Sequence, residues 1–258
     1  MNDSSEAGQA TSGDALWELP ASVEAAWGVR DRPHKGPKPG LSLTRIVDAG
    51  VTVAEAEGLA AVSMSRVAAE LGASTMSLYR YVSAKDELLD LMLDAAAGPP
   101  PPPQPGQHWR DGLAQWAWGL RAAYYRHPWA VRIQLRGLPI TPNSVAWFEN
   151  GLNCLAQTSL GENEKASTVL LLSNFVRAEA TTGTDISAAI MASGVSPSDW
   201  MAYYGRLLVT LTDPGRFPAI SQLLASGAFD SDDGPDDEFV FGLTRILDGI
   251  AALVGEPG

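Results

Sequence analysis

The sequence predicts an all-α protein in two parts, a head of three short helices and a larger helical body. Three observations lead there. Ser42, Ser63 and Ser74 stand where helix caps belong, each opening a run whose apolar residues recur at helical spacing. No stretch of the 258 residues alternates with the two-residue period of a strand closed by a hairpin turn. A proline run, PPPPPQPG at 99–106, divides the two helical parts with a stiff connector that lacks most backbone donors.

The elements follow in chain order. LWELPASVEAAWG carries Leu16, Leu19, Val23 and Trp27 at roughly helical spacing, with Pro20 and Gly28 as start and stop, and reads equally as a short docked helix or a disordered tail. A Pro/Gly-broken basic arm follows and cannot form a regular helix. The first head helix buries Ile46, Val47, Gly50, Val53 and Ala54 and ends at Gly58. The second buries Val67, Ala68 and Leu71 and stops at Gly72. The third, TMSLYRYV, buries Leu78 and Val82, four apart. Only Gly72, Ala73 and Ser74 separate the second helix from the third, and a pair joined by so tight a glycine turn makes a helix-turn-helix unit. A fourth helix starts at Ser83, with Asp86 and Glu87 in the turn where the macrodipole favours acids, and runs to about Ala97. Beyond the prolines, helices are expected over 108–127, 128–136, 142–158, 163–183, 198–211, 215–226 and 238–254. The domains therefore read as 1–40, an extension with a basic arm; 41–97, the head; 98–107, the linker; and 108–258, the body.

Charge is unevenly distributed. The net charge is −12, yet residues 230–238 (DSDDGPDDE) hold six acids and no base, while residues 30–40 (RDRPHKGPKPG) hold four bases and one acid. Net charge thus says little about any local footprint. The polar, acidic N-terminus has no secretory pattern, and no apolar run approaches membrane-spanning length. Cys154 is the only cysteine and there are three scattered histidines, so neither a disulfide nor a metal centre is expected. A soluble, cytoplasmic protein with no membrane association and no cofactor is the expectation.

In a helix-turn-helix unit the second helix of the pair lies in the major groove, its N-terminal residues towards base edges. Here Ser74, Thr75, Met76 and Ser77 occupy that place. Their hydroxyls can donate or accept, and the thioether can contact a thymine methyl. Tyr79 and Arg80 project from the other side of the buried Leu78–Val82 stripe. Arg66 can reach a guanine or a phosphate, and Lys85 sits at a helix N-terminus that already favours an anion. Residues 41–90 carry four bases against seven acids, so this is no generic basic patch and non-specific binding should be weak.

VSMSRVAAELG (62–72), the LYRYV core (78–82) and the K-D-E-L-L run starting at Lys85 closely resemble the N-terminal domain of the tetracycline-repressor (TetR) family of bacterial transcriptional regulators. The resemblance implies an all-α homodimer, with an N-terminal three-helix helix-turn-helix DNA-binding domain and a larger helical ligand-binding and dimerisation domain. It implies double-stranded operator DNA and a small molecule as partners. It marks Arg66, Thr75, Met76, Ser77, Tyr79, Tyr81 and Lys85 as DNA-contacting places. The arm residues Arg30, Arg32, His34, Lys35 and Lys38 are expected along phosphates or in the minor groove, as homeodomain arms are.

The body is similar to the tetracycline-binding branch of that family through residues 108–129 and 238–254. Helix 238–254, apolar almost all round, must be buried on several sides. With Gly242 and Gly249 allowing close approach, it is expected to form a four-helix dimer interface with 163–183. The dense aromatic set of 108–129 suggests an apolar ligand pocket, although core packing is the better reading for any single tryptophan. The expected ligand set is Trp109, Leu113, Trp116, Tyr124, Gln134, Phe148, Leu152, Asn174, Arg177, Ala178 and Thr181, with Arg177 facing a carboxylate or phenolate, although a structural role explains the face of Asn174, Arg177 and Thr181 equally well. Trp116 and Gln134 fall where tetracycline-binding members place a polar contact and a metal-coordinating histidine. That departure argues against a magnesium–tetracycline chelate and for a flatter hydrophobic or aromatic effector.

Two other classes compete. An enzyme would need a phosphate-binding glycine loop, H-E-x-x-H or G-x-S-x-G, and none is present. A helical adaptor could bind a basic protein through the acidic stretch 230–238, but that leaves Tyr79, Arg80 and Lys85 without a purpose.

Overall fold

A computed structural model describes residues 19–29, 40–102, 104–137, 140–229 and 234–255. Among them are eleven α-helices and no strand. The chain divides into two compact units, one of residues 1–99 and 133–147, the other of 100–132 and 148–258.

The first unit contains α1 (Ala21–Ala26), α2 (Leu43–Glu57), α3 (Met64–Glu70), α4 (Thr75–Leu78), α5 (Lys85–Ala97) and the first part of α7 (Pro142–Cys154). Three of its helices, α2, α3 and α4, begin at serine caps. Ser42, Ser63 and Ser74 accept from the backbone N–H groups of Arg45, Arg66 and Ser77, satisfying donors that would otherwise be orphaned at each N-terminus. Gly72, at φ +61°, makes the turn between α3 and α4 without the steric penalty a Cβ would carry. Ile46, Val53, Val62, Val67, Leu78, Val82, Leu88 and Met92 form a fully buried core. Gly50 is needed in that core, because a Cβ there would sit 2.7 Å from the Met92 sulfur.

The predicted third helix is shorter than its sequence pattern. α4 ends at Leu78, and Tyr79–Tyr81 form a turn in which the Tyr81 and Val82 N–H groups both donate to the Leu78 carbonyl. That turn buries Leu78 and Val82 as a helix would, so apolar spacing could not separate the two. Ser83 does not open α5, which begins at Lys85 after Ala84, because the Glu87 carboxylate takes the Ser83 N–H. Asp94 of α5, almost fully buried, accepts from the backbone N–H groups of Asn143 and Ser144 and so caps α7.

The second unit contains α6 (Trp109–Arg126), a 3-10 turn at Pro128–Arg132, the rest of α7, α8 (Glu162–Ser193), α9 (Pro197–Leu211), α10 (Pro218–Ala225) and α11 (Asp237–Val254). Residues 128–136, expected as a helix, yield only that 3-10 turn. α8 passes the predicted end at 183 and stops at Gly194, which adopts the left-handed conformation. Gly183 does not break it, and marks instead the close approach of another side chain: a Cβ would lie 2.1 Å from the Tyr125 hydroxyl.

α11 packs Phe239, Leu243, Leu247, Ile250 and Ala251 inward and leaves Val240, Phe241 and Leu253 exposed. Gly242 serves contact within the chain, its missing Cβ making room for the Phe175 ring of α8, whereas Gly249 meets nothing. No helix among the described residues is long and apolar enough to cross a membrane.

Candidate functional site

The exposed edge of the head is built from α3, the Gly72 turn, α4 and the start of α5. The Ser74 cap holds α4 with Met76 75% exposed and Tyr79 46% exposed, while Leu78 anchors it from behind. Ser74 is exposed, Thr75 and Ser77 are half-buried, and the two serine hydroxyls share a 2.8 Å hydrogen bond. Arg80 and Lys85 are exposed, and α5 begins without a side-chain cap from Ala84. Hydroxyls, a thioether, a phenol and two cations thus line one edge, each type able to meet a base edge or a phosphate.

Two expected contact residues point elsewhere in this arrangement. Arg66 donates from Nε and Nη2 to Glu57 Oε1 at 2.9 and 2.6 Å, and from Nη1 to Glu70 Oε2 at 2.9 Å. The hydrogen bond from Arg66 holds the Glu57 carboxyl below the usual carboxylate range. A guanidinium flanked by two carboxylates carries local charge of the wrong sign for a phosphate. Tyr81 is half-buried, and its hydroxyl donates to the Leu41 carbonyl at 3.0 Å, fixing the chain just ahead of α2. Arg45 donates to the adjacent Gly40 carbonyl. The arm residues Arg30, Arg32, His34, Lys35 and Lys38 lie outside the described residues.

In the second unit α6 turns Trp109, Leu113, Trp116 and Tyr124 inward, all nearly or fully buried. Phe148 and Leu152 of α7 are half-buried. Gly151 brings α7 close to this set, since a Cβ there would meet Val169 at 2.9 Å and the Trp116 indole nitrogen at 3.4 Å. The expected polar group is only partly assembled. Arg177 donates from Nη2 to the Val131 carbonyl at 2.9 Å, with its guanidinium 5.8 Å from the Tyr124 ring centre. Thr181 donates to the Arg177 carbonyl, while Asn174 and Ala178 are exposed. Gln134 is exposed and belongs to the first unit.

The strongest polar cluster of this unit escaped the sequence reading. Arg121 is buried and donates to Glu179 at 3.1 and 3.2 Å, to Asp236 at 2.6 Å, to the Tyr125 hydroxyl and to the Pro235 carbonyl. Its guanidinium also lies against the rings of Tyr125, Phe239 and Trp118, 4.5 to 5.3 Å from their centres. Burial works against its charge, but the Glu179 and Asp236 carboxylates more than offset this, so the proton is held more tightly than on a free arginine. No sequence signal links these groups, whose partners stand 58 and 115 residues apart. Elsewhere, Cys154 is half-buried at the end of α7, and burial pushes its thiol pKa up. Among the described residues no cluster of histidine, cysteine or carboxylate side chains could hold a metal ion.

A groove of about 620 Å³ runs between α8 and α11, lined by Asn163, Ser167, Leu171, Ile246, Gly249 and Leu253 among others. Leu170, Leu171, Phe241 and Leu253 leave apolar surface exposed on the same two helices.

Comparison with known proteins gives two family matches. Residues 46–92 match the family described as bacterial regulatory proteins, tetR family, and residues 102–254 the tetracyclin repressor-like C-terminal domain. The HTH-type transcriptional repressor DrrR1 of Streptomyces coeruleorubidus is 36% identical over 242 residues, covering 93% of this chain and 88% of DrrR1. The structure is similar to apo ActR from Streptomyces coelicolor, with a TM-score of 0.68 and 31% identity over 85% of this chain and 99% of ActR. ActR in complex with actinorhodin gives a TM-score of 0.68 and 32% identity over 86% and 100% of the respective chains.

Proposed function

The chain belongs to the TetR family of bacterial transcriptional regulators, and from that premise we propose that it is a homodimeric repressor of an inverted-repeat operator, released by a hydrophobic aromatic small molecule. The observation that carries the reading is the α4 edge. A serine-capped helix is anchored by a fully buried leucine and offers Met76, Tyr79 and Arg80 outward, with Lys85 at the next helix start. The dimer reading is supported by the α8–α11 groove and its exposed leucines and Phe241, which a second copy would cover. Two reading heads about one helical turn apart, ~34–36 Å, would then meet successive major grooves.

For the effector, support comes from the buried aromatic face of α6 and from ActR, the similar protein solved with actinorhodin. The effector releases DNA by favouring an arrangement of the heads that does not fit the operator, and only to the extent of its differential affinity for the two arrangements.

The test is selection of bound duplexes from a random library at near-physiological salt, followed by release with actinorhodin and other polycyclic aromatic compounds. One inverted-repeat sequence, freed by an aromatic compound, is the expected result. Well-folded protein that selects nothing specific would refute the reading and bring the adaptor alternative forward. Deleting residues 1–40 tests the basic arm, since an arm on phosphates must lower both the affinity and its salt dependence.

A further inference from the structure

α1 lies outside both matched ranges, yet it is seated firmly on the first unit. Ser22 is fully buried, and its hydroxyl donates to Glu87 Oε2 at 2.9 Å. Val23 is buried beside it. At the far end of the helix the Trp27 indole N–H donates to the Ile140 carbonyl at 2.7 Å.

Glu87 does more than accept from Ser22. The same carboxylate oxygen accepts from the Ser83 backbone N–H at 3.0 Å and from the Ser83 hydroxyl at 3.3 Å, tying the residues ahead of α5 to its first turn. Across that turn Arg136 pairs with Asp86 at 2.7 Å and with Asp90 at 3.7 Å. The first turn of α5, which bears Lys85, is thus gripped by α1 on one hand and by the segment Ile133–Trp147 on the other. Trp27 ties those two grips together through Ile140. α1 does not fill the space beneath it: Pro20 and Val23 help line a cavity of about 120 Å³ together with Asp90, Leu93, Arg136 and Thr141.

We propose that α1 is a strap that holds the first turn of α5 in its DNA-reading pose, with Ser22 and Trp27 as positioning residues that touch no DNA. The inference rests on the reading of α4 and the α5 start as the DNA interface. Phosphate contacts fix a protein's register on the duplex, so displacing the residue that makes one weakens binding although that residue itself is unchanged. A carboxylate held by three donors is fixed in position; with Ser22 removed, Glu87 keeps only the two donors of Ser83.

The experiment uses the full chain and the duplex recovered by selection, with binding followed by fluorescence anisotropy across a salt series. Ser22→Ala and Trp27→Phe should each lower affinity about three- to tenfold, the size expected for losing a well-placed hydrogen bond. Neither substitution removes a charge, so the slope of affinity against salt should fall by no more than about one, the share of Lys85. Amide exchange should rise at residues 83–90 and 140–147 in both variants.

Folded variants with wild-type affinity overturn the strap and leave α1 a purely structural addition. A salt slope reduced by clearly more than about one also overturns it, because that marks lost phosphate contacts beyond that of Lys85. So does faster exchange confined to residues 19–29. A wild-type chain that selects no duplex overturns the interface reading and this role with it, whereas wild-type binding beside unaffected variants overturns the strap alone.

Discussion

Replacing Arg121 with methionine should destabilise the second unit by about 3–5 kcal/mol, the range for removing one partner of a buried ion pair. Methionine roughly keeps the apolar volume against Trp118, Tyr125 and Phe239, so the loss is mainly electrostatic. The two abandoned carboxylates will not suffer equally. The Asp236 side chain is 51% exposed and can return to water, whereas that of Glu179 is 17% exposed and keeps the Tyr125 hydroxyl as a donor. Most of the cost should therefore sit on Glu179, and Arg121→Met/Glu179→Gln should recover most of it. Urea unfolding followed by tryptophan fluorescence and by far-ultraviolet dichroism measures both variants. With a slope of ~2 kcal/mol per molar urea, the single variant should lose about 1.5–2.5 M from its midpoint. A single variant within about 1 kcal/mol of wild type, or a double variant no more stable than the single one, would refute the reasoning. Added salt should change the effect little, since buried pairs are weakly screened.

Other outcomes follow from the head. Gly72→Ala should cost about 1–2 kcal/mol, because alanine must take the left-handed conformation there, and Gly72→Asn should cost less; thermal unfolding distinguishes them. Leu78→Ala should cost about 2–5 kcal/mol by opening a cavity behind α4, seen as a lower urea midpoint. Tyr79→Ala should weaken operator binding about tenfold, the loss of ~1.4 kcal/mol, with helicity unchanged; unchanged affinity would remove Tyr79 from the interface. Glu57 has a depressed carboxyl, so its contribution is present above the unfolded pKa and is lost as pH falls through the folded one. The stability difference between wild type and Glu57→Gln should therefore exist at neutral pH and vanish in acid, and a difference that grew in acid would contradict the Arg66 pairing.

The head was legible because its signals are local. A serine cap, a glycine turn and a four-residue apolar spacing are each decided within one helical turn, and α2, α3 and the start of α4 follow from them. The end of α4 was not legible, because a turn and a helix bury Leu78 and Val82 alike. α8 runs on through Gly183, which lies against the hydroxyl of Tyr125, far off in sequence, so glycine there reports a neighbour and not a break. The site divides in the same way. Met76, Tyr79, Arg80 and Lys85 are exposed where pattern and resemblance put them. The surface pairing of Arg66 depends on Glu57, nine residues back, and the anchoring of Tyr81 on Leu41, forty residues back. Ser22, Trp27 and Arg121 were missed because their hydrogen-bond partners lie 58 or more residues away, apart from Tyr125, whose four-residue spacing from Arg121 said nothing of burial.

Cys154, whose thiol pKa burial raises, has a use that its packing does not suggest. A chain with a single cysteine can be made thiol-free by one substitution, Cys154→Ser, and then carry one new thiol wherever a probe is wanted. Ala56, exposed on α2 and away from the α4 edge in sequence, is such a place. In a homodimer, a spin label at Ala56→Cys gives one label per protomer and therefore one distance to measure by pulsed resonance. Recorded with operator, with aromatic compound and with neither, that distance turns the spacing of the two heads into a ruler, and its distribution reports the populations between which an effector must choose.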